Sequence, residues 1–353
     1  MREIATEALE LLDRGEEFAL VRVISDKGST PRAAGAEMIV RRDGSIAGTV
    51  GGGLIEATMM KEAAEAIARR RSTTTVFSLT GTDLASGEKM VCGGAAEVLI
   101  VYVEGGRTDL RDVCRAVADI AEGGGRAWCL TTVPLAEGDE VGFCLLHEDG
   151  RAAGSPPADV DQLRAAVGEA TRHGSAVLPD GRPLVVEAIE PASTVFIFGA
   201  GHVGAALAPA CSAVGFRVAV VDDRVEFASR ERFPSADELI VPDSYEVAFE
   251  GLRIGGRSFV VIVTRGHTHD FSVLRQSLRT SAAYIGLMAS TTKRRRFYDA
   301  LREDGLGEAE IDRVHSPVGL SIGAETPAEL AVSIVAEMIA VRAALPSDVA
   351  AAL

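Results

Sequence analysis

Aromatic residues are scarce, 5% of a 353-residue chain with a single tryptophan, so any core has to be built mostly from Ala, Val, Leu and Ile. Cysteine is scarce too. The five thiols (92, 114, 129, 144 and 211) are an odd number with no Cys-x-x-Cys pair, which excludes a disulfide-stapled scaffold and suits a reducing compartment. Bases are outnumbered, 36 Lys and Arg against 51 Asp and Glu, for a formal charge of −15. A general nucleic-acid surface needs clustered cations to neutralise phosphates, so nucleic acid is excluded as a partner. The one dense basic run, "KRRRF" at 293 to 297, follows "ASTT" and reads as a helix start. No stretch approaches the ~18 continuous apolar residues of a membrane span. The opening "MREIATEALELLDRGEEFAL" is amphipathic and acidic, without an apolar signal core. A cytoplasmic protein with no membrane partner is expected. Internal repeats and low-complexity tracts are also missing.

What is present describes a globular α/β protein. Apolar residues make up 47%, charged residues 25%, and there are 37 glycines. The length allows two domains, each with its own core. Residues 1–190 are expected to form an N-terminal α/β domain. Its strands are "FALVRVIS", "AEMIV", "TTTVFSLT" and "AAEVLIVYVE", followed by strands at 126–133 and 141–147, with helices near 54–70, 109–122 and 160–172. Asp-Gly signals in "RRDGSIAG" and "LPDGRPL" mark two tight hairpins. "EPAS" at 190 to 193 is a short link. Residues 191–353 then alternate strand and helix, with strands at 194–199, 217–222, 238–241, 258–264 and 283–287. Continuous apolar runs such as "FVVIVT" imply strands buried on both faces, hence a Rossmann-like parallel sheet under helices. The last helix, "AELAVSIVAEMIAVRAAL", is apolar enough to pack in a core or against a second copy.

"VFIFGAGHVGAAL" (195–207) carries the strongest single signal. A strand runs into Gly199-x-Gly201-x-x-Gly204 and a helix follows. In a dinucleotide fold the first glycine permits the tight turn, the second lets backbone approach a pyrophosphate, and the third lets the helix pack on the strand. "VAVVDDR" places Asp222 at the end of the second strand, where a carboxylate accepts hydrogen bonds from ribose hydroxyls and repels a 2′-phosphate. NAD or another adenosine-type nucleotide is therefore favoured over NADP. His202, inside the turn, is either a ligand contact or an ordinary exposed residue. No substrate-orienting Arg with a general base can be assembled around the turn, so nucleotide binding does not bring hydride transfer with it.

Three further constellations carry chemistry. "TRGHTHD" (264–270) follows a buried strand, at the end of the sheet where open α/β folds place ligands. His267, His269 and Asp270 there either hold a metal ion or a ligand, or are polar loop residues with Asp270 capping the next helix. "GTVGGGLIEA" (48–57) exposes the backbone of Gly51, Gly52 and Gly53 at a helix start, an anion-friendly concavity. Glu56 in that first turn either complements the helix dipole or serves as a proton acceptor. "EKMVCGGAAEVLI" (88–100) sets Cys92 before two glycines, as a soft-metal or sulfur-transfer thiol or as a structural one. Arg32 in "GSTPRAAGAEM" is a candidate anion partner. The other four cysteines lie in apolar patterns and read as buried, inert thiols.

Taken together these stretches resemble the xanthine dehydrogenase accessory family (XdhC/CoxI). The likeness rests on "GSTPRAAGAEMIV", "GTVGGGLIEA", "MVCGGAAEVLI", "FIFGAGHVGAAL", "VVDDR", "VTRGHTHD", "YIGLMASTTKRRRF" and "HSPVGLSIGAETPAELAVSIVAEMIAVR", in the family's order across both halves. The last block, with Pro317, Gly319, Gly323, Glu325, Thr326, Pro327 and Glu329, is the most specific. The resemblance implies a maturation role: binding the molybdenum cofactor (molybdopterin) and helping deliver its sulfurated form to a molybdenum hydroxylase client such as xanthine dehydrogenase, with a cysteine desulfurase as sulfur donor. It makes Cys92 a candidate contact to the cofactor's molybdenum or sulfur, in a pocket shaped by Gly51, Gly52, Gly53 and Glu56. Relatives with a Gly-Gly-Cys form of that loop place a second thiol where this chain has Gly53, which leaves Cys92 alone. The Rossmann turn, with Gly199, Gly201, Gly204 and Asp222, would hold NAD, another nucleotide or the pterin phosphate. A homodimer is expected. Two functions of different class follow, an accessory protein without turnover of its own and an NAD-dependent oxidoreductase acting on a pterin or small metabolite. The missing catalytic set weighs toward the first.

Overall fold

Strand β1 (Phe18–Lys27) shows why the first half of the chain is built in layers. Phe18 and Leu20 point to one face and Ala19, Val21 and Val23 to the other, and all five are buried. A strand apolar on both faces needs cover on both. The computed structural model describes residues 2–27, 34–78, 94–121, 125–136, 139–168 and 173–345. It divides into two units, the first running to Pro191 and the second starting at Ala192.

In the first unit β1 pairs with β2 (Glu37–Arg41), which pairs with β3 (Ile46–Gly48). On its other side lies β5 (Ala95–Val103), then β4 (Thr73–Ser78). Every neighbour in this five-stranded sheet is antiparallel. A second antiparallel sheet has the order β8 (Ala152–Gly154), β7 (Phe143–His147), β6 (Ala127–Thr132), β10 (Pro183–Ile189), β9 (His173–Val177). Helices α1 (Arg2–Asp13) and α3 (Thr108–Ala121) supply Leu11, Leu12, Val113 and Val117 to a core shared by both sheets. Helix α2 (Leu54–Arg69) covers the other face of the first sheet through Ile55, Met59 and Ala63. Helix α4 (Val160–Gly168) covers the second sheet through Leu163 and Val167. The two sheets are also joined by charge. Arg22 on β1 donates to Glu37 Oε1 at 2.7 Å and to Thr131 Oγ1 of β6 at 2.8 Å, with Glu187 of β10 at 3.9 Å. All three charged side chains are buried.

The second unit is a six-stranded sheet in the order β13 (Glu238–Ile240), β12 (Arg217–Val221), β11 (Thr194–Phe198), β14 (Ser258–Ile262), β15 (Tyr284–Leu287), β16 (Val314–His315), parallel throughout. Helices α5 (His202–Ala213) and α9 (Pro327–Ala344) cover one face over Val195, Ile197, Val218 and Val261. Helices α6 (His267–Ser277) and α7 (Thr291–Glu303), with the short α8 (Glu308–Ile311), cover the other over Phe196, Phe198, Val260 and Ile262. The basic run begins α7, whose Ser290 cap accepts from the Lys293 N–H. The start of α9 is fixed by a capping box of Thr326 and Glu329 around Pro327. Among the described residues no helix is long and apolar enough to cross a membrane.

Candidate functional site

From β11 the strand order runs outward to β12 and β13 on one side, then returns to β14 on the other. The reversal opens a crevice at the carboxyl ends of β11 and β14, where doubly wound sheets bind ligands. The glycine turn fills one lip of it. Gly199 has φ +121°, and a Cβ there would lie 2.4 Å from the Val263 carbonyl oxygen, so only glycine lets the turn press against the end of β14. A Cβ on Gly204 would lie 2.1 Å from the Gly199 oxygen, which is the close approach of α5 to the strand. Gly201 is different: no atom stands within 4 Å of a Cβ placed there. It is the N-cap of α5 and gives no side-chain cap, so the first N–H groups of that helix are not taken by a capping side chain. His202 is the exposed first residue of the helix.

Asp222, expected as a ribose acceptor, is engaged by its own chain. Its Oδ2 accepts from Ala200 N at 2.8 Å and Arg224 Nη2 at 2.9 Å. Its Oδ1 accepts from Arg224 Nε at 2.8 Å and Arg224 N at 3.1 Å. Burial alone would raise this carboxyl, but the hydrogen bonds from Arg224 and Ala200 outweigh it and hold the group below its ordinary range. The carboxylate thus ties the glycine turn to the end of β12. Beside it Asp223 pairs with Arg265, Oδ2 to Nη2 at 2.8 Å. Arg224 lies over the Phe227 ring at 3.5 Å, and Arg232 approaches the same ring at 4.8 Å while donating to the Ala200 carbonyl at 3.0 Å.

Of the two readings of His267, His269 and Asp270, the metal-holding one finds no convergent geometry. These are the first, third and fourth residues of α6, and successive helical residues turn by about 100°, so the two imidazoles leave the axis on opposite sides. His267 is exposed, whereas His269 packs on Tyr245 with ring centroids 5.0 Å apart. Asp270 is buried and accepts from Thr264 N at 3.1 Å and Thr264 Oγ1 at 2.7 Å, and its other oxygen is paired with Lys293. Both oxygens are therefore in use by the loop and by α7. Among the described residues no group of three or more His, Cys, Asp or Glu is placed to hold a metal ion.

In the first unit Gly51 (φ +148°) and Gly53 (φ +61°) bend the chain into α2, and Gly53 caps that helix without a side-chain bond. Gly52 and Gly53 are exposed, with nothing within 4 Å of a Cβ at either. Glu56 faces the loop, not open space: its Oε2 accepts from Thr49 Oγ1 at 2.5 Å, and that oxygen takes the Gly51 N–H at 3.2 Å. Arg32 and Cys92 lie outside the described residues. Cys114, Cys129, Cys144 and Cys211 are buried, and burial pushes their thiols up, to about 11 for Cys129 and about 12 for the other three. They are inert, as their apolar surroundings suggested.

One polar cluster joins two of the quoted stretches, "YIGLMASTTKRRRF" and "HSPVGLSIGAETPAELAVSIVAEMIAVR". Glu337 of α9 receives the Tyr284 hydroxyl at 2.5 Å and the Gly319 N–H at 2.9 Å on Oε2, while Oε1 lies 3.1 Å from His315 Nδ1. The His315 ring packs on Tyr284 at 4.5 Å. Sequence reasoning singled out Gly319 in this block but gave no role to Tyr284, His315 or Glu337, an acid inside a largely apolar helix.

The chain matches known proteins in both units. Residues 195–338 match the sequence model of the XdhC Rossmann domain, and residues 11–79 that of the XdhC and CoxI family. It is 29% identical over 343 residues to the uncharacterized protein YqeB of Escherichia coli (strain K12), a match taking in 96% of this chain and 46% of YqeB, so the chain spans about half of that relative. It is 28% identical over 336 residues to a Bacillus subtilis (strain 168) protein named as a probable xanthine dehydrogenase subunit, covering 94% of this chain and 95% of that one. A crystal structure of a Bacillus halodurans protein described as a xanthine dehydrogenase aligns with a TM-score of 0.80 at 26% identity, over 96% of this chain and 97% of the other.

Proposed function

We propose that this chain, which belongs to the XdhC and CoxI family, is a cytoplasmic accessory protein of a xanthine dehydrogenase-type molybdenum hydroxylase that holds the molybdenum cofactor and hands on its sulfurated form. Family matches in both units, and a relative of nearly equal length named for xanthine dehydrogenase, support the choice of client. The observation that carries the binding role is the open space over Gly201 at the uncapped start of α5. A phosphate dianion is the group that such a turn accommodates, and a pterin cofactor and a nucleotide both carry one. The residues present fit that part of the ligand: Gly199 and Gly204 make the turn, and the N–H groups that begin α5, without a side-chain cap, would hold the phosphate.

The cofactor supplies its metal-centred redox chemistry to the client once installed. This chain's residues bind and orient it. Gly51, Gly52 and Gly53, kept in shape by the Thr49–Glu56 hydrogen bond, offer a second anion cradle at the start of α2. Cys92 would be the soft ligand for molybdenum or its sulfur. A cysteine desulfurase is the sulfur donor, and a second copy of the chain packs on the exposed face of α9.

The test is co-purification. The full chain would be expressed in a host that makes molybdenum cofactor and assayed for bound pterin and molybdenum beside Cys92→Ala. Both species on the wild type, with molybdenum lost from the variant, are expected. Neither species on the wild type, together with a saturable change in NADH absorbance on adding a pterin, would replace this function with the oxidoreductase.

A further inference from the structure

The crevice departs from a ribose-binding plan at Asp222. A carboxylate offers about four lone-pair positions, and Ala200 N, Arg224 N, Arg224 Nε and Arg224 Nη2 already occupy this one at 2.8 to 3.1 Å. Those four donors leave it no lone pair for a ribose diol. Cations stand where the sugar would look for an acceptor. Arg224 is engaged by Asp222, and Arg265 by Asp223. Arg232 is held only by a neutral carbonyl inside the glycine turn, Ala200 O, and by the Phe227 ring. No carboxylate pairs with it among the described residues.

With Arg265, the stretch from Asp222 to Arg232 carries four arginines against Asp222, Asp223, Glu226 and Glu231, so it is neutral in a chain whose total is −15. An anion meets less repulsion there than over the rest of the chain, and the guanidinium of Arg232 is the group without a carboxylate to meet it. A second observation points to a ligand. Tyr245 is 1% exposed and its hydroxyl has no hydrogen-bond partner, while its charged neighbours are Asp222, Asp223, Arg265 and Arg224. A buried hydroxyl left unpartnered is costly, and an acceptor brought by a ligand satisfies it. The neighbouring α6 adds another uncapped N-terminus at the same crevice, behind Gly266.

We propose that this crevice selects a nucleotide bearing a phosphate monoester on its ribose, an NADP-type ligand, over the unphosphorylated counterpart, with Arg232 as the anchoring cation. The inference rests on the phosphate-binding role given above to the glycine turn. It reverses the preference that a free Asp222 would impose, because Arg224 neutralises that carboxylate before any ligand arrives.

The test is calorimetric titration of the full chain with NADP+ and NAD+, which differ only in the 2′-phosphate, at low salt. Wild type is expected to bind NADP+ about tenfold more tightly or better, the discrimination a charge-assisted contact gives. Arg232→Ala should remove that preference while leaving NAD+ within about twofold, and Arg232→Lys should keep part of it, since a point charge still attracts the dianion. Circular dichroism checks that each variant folds. Equal affinity for the two ligands, tighter NAD+, or an Arg232→Ala variant that weakens both alike overturns the proposal. If neither dinucleotide binds while pterin still co-purifies, this inference falls and the accessory function stands. If NADP+ is preferred while no pterin is found, the reverse holds.

Discussion

Replacing Gly204 by alanine puts a Cβ 2.1 Å from the carbonyl oxygen of Gly199 and 3.4 Å from Ile197 Cγ2. Real side chains do not approach a backbone oxygen so closely, so either α5 lifts from β11 or the turn opens. The helix is not free to lift, because Leu207, Ala208 and Cys211 are fully buried in the core it shares with α9. Overpacking typically costs about 1–3 kcal/mol, and contact with backbone belongs at the upper end. Alanine recovers up to about 1 kcal/mol of helix propensity. A net loss of about 1–2 kcal/mol remains, worth several degrees of midpoint at about 2–4 °C per kcal/mol for a unit of this size. Gly201→Ala tests the other half of the geometry. Its φ of −75° suits alanine and its Cβ meets nothing, so stability should stay within about 1 kcal/mol of wild type. The new methyl, however, occupies the space a phosphate needs. Scanning calorimetry suits the comparison, since the single tryptophan, Trp128, lies in the first unit and does not report on the second. Unchanged melting in Gly204→Ala would refute the packing argument, and full ligand binding by Gly201→Ala would refute the phosphate cradle.

Two further outcomes are expected. Burial and then the repulsion of Glu37 push the Glu187 carboxyl up from 4.5 to about 7. The folded chain therefore holds that proton more tightly than the unfolded one. This group's contribution is greatest below about pH 4.5 and is lost as pH rises toward 7, by ~3 kcal/mol in all. Glu187→Gln should remove that slope from the pH dependence of the urea midpoint, and an identical slope in wild type and variant would refute it. On α9, Val332 and Ile339 are 60% and 37% exposed, two turns apart on one face. Light scattering should give a dimer mass for wild type and a monomer for the Val332→Glu, Ile339→Glu double variant, and a wild-type monomer at micromolar concentration would end the homodimer proposal.

The parallel sheet was legible because burial on both faces leaves unbroken apolar runs, as in β11, β12 and β14, and because the helices between them supply the crossovers. The same signal misleads about direction in the first unit. "FALVRVISDK" is equally apolar, yet β1 is antiparallel to both neighbours and is covered by α2 on one face and by α1 and α3 on the other. Periodicity records how many faces are buried and not which way the neighbours run. Nor could the sequence show that β5 would pair beside β1, or that Arg22 would find its partners across a second sheet. Such contacts join segments whose spacing carries no pattern.

In the site, what was legible was steric and local, and what was not was the pairing of charges. Gly199 and Gly204 pack as their spacing assigns, and Gly201 stands at the start of α5, because a tight turn between strand and helix constrains only a few adjacent residues. Asp222 and Asp270 stand at the positions expected for ligand-binding acids, but each is held by a cation of this chain, Arg224 and Lys293. Lys293 belongs to the basic run that also starts α7. Arg232, which meets no carboxylate among the described residues, belongs to no motif at all. It reaches the glycine turn only because the chain beyond β12 folds Phe227 beneath two guanidinium groups. Among the described residues Asp222 and Asp270 are paired with cations, the starts of α5 and α6 carry no side-chain cap, and Arg232 meets no carboxylate. On the phosphate-binding role proposed above, the charge of the ligand is a stronger requirement than the identity of its base or pterin.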